Sequence, residues 1–85
     1  MESKYVVYSS SDLYFAAYLC ALDYTLKATE KKVNPSGGMA KVHFVFELDA
    51  VDLARLKVDY FGGAGEVKAK RYVDSLRSLK SMVHT

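Results

Sequence analysis

Cysteine and proline are nearly missing from this 85-residue chain, which holds one of each, and it has only two histidines. A single cysteine, Cys20, excludes an internal disulfide and a cysteine-clustered zinc site. Its thiol is expected to pack as a small apolar side chain. Cys20, His43 and His84 have no metal-ligand spacing, so no metal and no cofactor is expected. Long apolar runs are absent too. The longest stretch without charge, Leu13 to Leu22, is half of the ~20 residues that cross a bilayer. The opening Met1-Glu2-Ser3-Lys4 leads into a short apolar stretch and lacks the pattern of a secretory signal, so a cytoplasmic address is expected.

Apolar residues, by contrast, are plentiful. They make up 51% of the chain against 26% charged, a balance that supports a globular fold. A chain of this length can bury about 60% of its unfolded surface, which limits it to one core and one domain over residues 1–85. Net charge is +2, and the excess lies at the C-terminal end. There Lys68, Lys70, Arg71, Arg77 and Lys80 face only Glu66 and Asp74.

Periodicity gives the order of elements. Tyr5-Val6-Val7-Tyr8 reads as a short strand ending at Ser9-Ser10-Ser11. Ser10 or Ser11 can cap a first helix from Asp12 to Leu22. Tyr24, Leu26 and Ala28 alternate with polar neighbours, and Val42, Phe44, Phe46 and Leu48 alternate again, predicting two strands with a hairpin loop from Glu30 to Ala40. Asp49 and Asp52 have the spacing of a cap and a first-turn acid, so a second helix is predicted over Ala50 to Tyr60. Gly62-Gly63-Ala64-Gly65 should form a tight joint into a third helix, Glu66 to Val83. That helix carries Ala69, Tyr72, Val73, Leu76, Leu79 and Val83 on one stripe, expected to pack against the sheet. The fold class is therefore α+β, a short antiparallel sheet packed with three helices in the order β-α-β-β-α-α.

Ser11-Asp12-Leu13-Tyr14 opening an alanine-rich helix, the Phe44-Val45-Phe46 strand, the Tyr60-Phe61 helix end and the final Leu76-Arg77-Ser78-Leu79-Lys80-Ser81 form a set of short motifs. In these the chain resembles a small domain family of unknown function from bacterial and phage genomes, across nearly its whole length. The resemblance implies no activity and carries over no functional residue. This chain departs from it in the loop around Asn34 to Gly38.

Nothing in the sequence supports an enzyme active site, and no small-molecule substrate is predicted. His43 has no visible partner and orienting group for acid-base work. The glycine cluster lacks the spacing and the lysine-threonine ending of a phosphate-binding loop, and it follows a helix, so a structural corner outweighs an anion site. Phe44 and Phe46 could stack bases, but their phase with Val42 and Leu48 argues for core.

Two binding readings remain. In the first, Lys70, Arg71, Arg77 and Lys80 contact nucleic acid along the third helix, with Lys70 and Arg77 on one flank and Arg71 nearer the solvent side. The plain alternative is a solvated face with Glu66-Lys70 and Lys70-Asp74 pairs four residues apart. In the second, the first helix, apolar all round, self-associates as a homodimer through Tyr14, Phe15, Tyr18 and Leu22. The plain alternative there is that the sheet and the C-terminal helix cover it, with tyrosine hydroxyls reaching water. Seven tyrosines in so short a chain exceed what a small core can bury, so some should lie at a surface or interface.

Overall fold

Alternating side chains and acidic caps place the elements, and the computed structural model describes them over residues 4–32 and 41–83. The described residues form β1 (Tyr5–Ser10), α1 (Leu13–Ala21), β2 (Leu26–Lys32), β3 (Lys41–Asp49), α2 (Ala50–Phe61) and α3 (Ala69–Val83). The fold is α+β, a three-stranded antiparallel sheet with three helices in the order β-α-β-β-α-α. Glu30, Lys31 and Lys32, read as loop, belong to β2. The remainder of that loop, with Asn34 to Gly38, and His84 lie outside the described residues.

Strand order is β1-β3-β2, so β3 is central. Its Phe44, Phe46 and Leu48 are fully buried on one face, as their alternation requires. β1 pairs with β3 from Tyr5↔Asp49 to Ser10↔Phe44. β2 pairs with β3 from Leu26↔Phe46 to Lys32↔Lys41, with a register shift between Leu26 and Ala28. That shift breaks the expected alternation. Leu26 stays opposite buried Phe46, but Ala28 is turned to lie opposite Val45, on the other face.

Asp12 caps α1 itself, accepting from the amides of Tyr14 and Phe15 at 3.0 and 3.2 Å. Ser10 stands one step back, its Oγ accepting from the Asp12 amide at 3.1 Å. The aspartate wins the position because its carboxylate both bonds the free amides and meets the positive end of the helix dipole. At the other end the Tyr24 amide donates to the Leu19 carbonyl and the Asp23 amide to that of Cys20, at 3.1 and 3.0 Å. This double closure needs a left-handed residue, here Asp23 with φ 72°. Asp49 caps α2 as expected, accepting from Val51 and Asp52 at 2.8 and 3.3 Å.

α3 starts at Ala69 and not at Glu66. The connection from Phe61 holds two positions that favour glycine. Gly63 has φ 81°, and a Cβ on Gly65 would sit 2.6 Å from the Tyr18 hydroxyl. Gly65 lets the chain cross the Tyr18 ring closely, and residues 64–68 then run without helix while Val67 packs on the core. α3 packs mainly on α1 and not on the sheet. Leu79 is its buried anchor, whereas Ala69 and Val73, both assigned to the packed stripe, are exposed.

Candidate functional site

The four residues assigned to self-association do not share a surface. Phe15 and Tyr18 are interior, 0% and 5% exposed, while Tyr14 is exposed and Leu22 half-buried. Phe15 is the hub of an aromatic cluster, with ring centroids 5.9 Å from Tyr8, 6.2 Å from Tyr18, 5.2 Å from Tyr60 and 5.6 Å from Phe61. The apolar girth of α1 is thus covered by the chain itself, by β1 and β3 on one side, α3 on another and the end of α2 on a third. The contribution of α2 is what the sequence reading left out.

Burial of these rings shifts their chemistry. Burial, then the nearby Asp59 carboxylate, pushes the Tyr18 phenol above its usual 10.0. Burial, then Tyr72, does the same for Tyr60. A phenol held neutral in the folded state stabilises the fold fully below pH 10 and loses that contribution as pH rises through its raised folded value. Stability measured by guanidinium unfolding should therefore be flat with respect to these groups up to about pH 10 and fall above it. Tyr18→Phe should make the fall shallower. Cys20 is half-buried, and burial raises its thiol also.

The four basic residues assigned to nucleic acid separate into two pairs. Lys70 bonds Asp74 at 3.1 Å, the i,i+4 pair anticipated, and Arg71 bonds Asp23 at the end of α1. Glu66 lies outside the helix, so it is not an i,i+4 partner of Lys70 on α3. Arg71 was placed nearer solvent, yet at about 3.6 residues per turn it falls on the flank beside buried Leu79, tied to Asp23, while Lys70 and Arg77 fall opposite Leu79. Arg77 and Lys80 are exposed, one helical turn apart, with no carboxylate partner among the described residues.

Other candidates resolve into packing. His43 is half-buried on the helix-free face of the sheet, where its Nδ1 lies 3.4 Å from Ser9 Oγ. The glycine cluster is separated from the first turn of α3 by residues 66–68, so its amides do not open a helix. Two shallow clefts, about 280 and 350 Å³, flank α3. The first is lined by Cys20, Leu26, Leu79 and Met82 with Asp74, Ser75 and Ser78, and the second by Leu13, Val42, Phe44 and Val83 with Ser11 and Lys41. Both are at the small end of the range for ligand sites.

One surface was missed by sequence reasoning. α2 buries Leu56 and half-buries Leu53 and Tyr60 on its inner face, yet Val51, Ala54 and Val58 repeat at spacings of three and four on the opposite face, while Phe61 at the helix end turns one side of its ring onto Phe15. All three are exposed, Val51 by 77% and Val58 by 71%. The signal was available as a second apolar stripe on one short helix. It was masked because the first stripe already accounts for the helix.

Among the described residues no helix is long and apolar enough to cross a membrane. No protein-family model, curated protein or solved structure matches the chain.

Proposed function

We propose that this protein is a non-catalytic protein-interaction module of the cytoplasm, with the outward stripe of α2 as its contact surface. The observation that carries the reading is the exposure of Val51, Ala54 and Val58 on a helix face turned away from the core. Fully burying an apolar side chain of this size contributes about 1.5–3 kcal/mol. Two valines together reach at most the lowest part of the roughly 4–15 kcal/mol that association costs in lost freedom, so a lasting contact needs more than the stripe alone. The reading is tested by placing a photo-cross-linking side chain at position 58, or as control at position 30, in cells that make the protein. A discrete protein adduct from position 58 and none from position 30 is expected; no adduct from position 58 removes the reading.

A second reading is favoured by Arg77 and Lys80, exposed side by side without carboxylate partners among the described residues. Such a pair can sit on phosphates, in keeping with a nucleic-acid-binding role in a phage or mobile-element setting. It predicts binding to a nucleic-acid oligomer that falls steeply with salt and weakens when both are replaced by alanine. Salt-independent binding, or none at low salt, removes it.

A further inference from the structure

β1 is an edge strand with one side unpaired among the described residues, and it carries no charge, no proline and no glycine. Edges in soluble proteins are ordinarily blunted by charge, bulges or a covering element. The opposite edge, β2, is blunted in that way, with Lys27, Glu30 and Lys31 along it and a register shift at Leu26/Ala28. β1 has none of these devices.

The free groups on β1 can be identified. The Ala50 amide donates to the Lys4 carbonyl at 2.9 Å, so the hydrogen-bonded pairs with β3 fall on Val6, Tyr8 and Ser10. The amides and carbonyls of Tyr5, Val7 and Ser9 therefore point away from the sheet. The apolar stripe of α2 faces the same side of the molecule. α2 runs beside β1, from the Ala50–Lys4 bond at one end to the Lys57 ammonium 4.6 Å from the centre of the Tyr8 ring at the other. Around α2, the side of Leu56 and Tyr60 meets α1, the side of Lys57 meets β1, and the stripe lies opposite α1, outward along the β1 edge.

We propose that the partner is a second copy of this chain, paired antiparallel through β1 and α2 about a two-fold axis at Val7, so that two sheets join into one of six strands. This rests on reading α2 as a contact surface and names its occupant. The surface is self-complementary. A two-fold at Val7 sets Val7 against itself and Tyr5 against Ser9 of the second copy, and each such pair exchanges two hydrogen bonds from the groups left free. Between the Ala50–Lys4 and Lys57–Tyr8 anchors, the level of Val7 falls in the middle part of α2, near Ala54 and Arg55 and between Val51 and Val58. The same axis therefore sets Val51 against Val58 of the second copy, with the small Ala54 at the crossing where the helices come closest. Charge does not oppose the match, since β1 has none and α2 itself balances Asp52 and Asp59 with Arg55 and Lys57.

Sedimentation of the intact chain from about 1 to 100 μM tests the proposal, a range that spans weak to moderate self-association. The expected result is a dimer of twice the 9.5 kDa chain mass. Val7→Pro deletes an outward amide that β3 does not use, and Val58→Glu puts a charge in the helix contact. Each should weaken the dimer by at least about 30-fold with the circular dichroism unchanged. Should the proline variant fail to fold, Val7→Lys sets like charges opposite each other across the axis and serves in its place. A monomer throughout, or a dimer indifferent to either variant, overturns the proposal. If position 58 cross-links to a different protein while the purified chain stays monomeric, self-pairing falls and the interaction reading stands.

Discussion

Phe15→Ala should destabilise the fold by about 3–5 kcal/mol, the range for removing a fully buried aromatic side chain. Phe15 is 0% exposed and touches rings from β1, α1 and α2, so no single neighbour can collapse into the space it leaves. A domain of this size has roughly 4–13 kcal/mol of total stability, so the variant loses about a quarter of it at the least. Urea unfolding is the measurement, with the midpoint moving down and the slope unchanged. A loss below about 1 kcal/mol would mean that the aromatic cluster is not the packed centre described here.

The second large effect is expected at Gly65. A Cβ there meets the Tyr18 hydroxyl at 2.6 Å and ring carbons at 2.9 and 3.1 Å. Tyr18 is held between Phe15 and Tyr60, at centroid distances of 6.2 and 5.1 Å, and has no room to retreat. Gly65→Ala should therefore cost about 1–3 kcal/mol, as overpacking does. Combining it with Tyr18→Phe, which removes the nearest clashing atom, should restore part of that loss. The coupling between the two substitutions, read from a double-mutant cycle, reports the contact itself. Gly63→Ala is the control, since nothing lies within 4 Å of its added Cβ and only the left-handed backbone is penalised, by about 1–2 kcal/mol.

The element order was legible in the residues because its signals are local. Phe44, Phe46 and Leu48 alternate and are buried. Asp49 and Asp52 mark the start of α2 by cap chemistry alone, and both act there as the spacing says. What failed were points where distant parts of the chain decide. The start of α3 depends on Gly65 crossing Tyr18, a contact between residues far apart in sequence, and nothing near Glu66 announces it. Ala28 follows a period-two pattern in sequence, but the register shift against β3 turns it to the other face. Asp23 reads as a helix exit, and its pairing with Arg71 of α3 cannot be foreseen from either neighbourhood.

The site was less legible for the same reason. An α1 apolar on every side suggests an outside partner only if its cover is counted as sheet plus one helix. Tyr60 and Phe61 supply the missing side. Once α2 is spent on covering α1, its own outer face becomes the uncovered one, and the question of a partner passes from Phe15 and Tyr18 to Val51 and Val58. That transfer needs the relative placement of three helices. The uncharged run Tyr5 to Ser10 was visible from the start, but only the strand order makes it an edge.

The central claim is that the open side of β1 is where this chain meets its own copy. Amide hydrogen exchange along β1, followed by NMR at rising protein concentration, tests it most directly. Val6, Tyr8 and Ser10 should exchange slowly at every concentration, since β3 holds them. Tyr5, Val7 and Ser9 should exchange fast when dilute and become protected as the dimer forms. Fast exchange at those three positions in a sample shown by mass to be dimeric would contradict the claim.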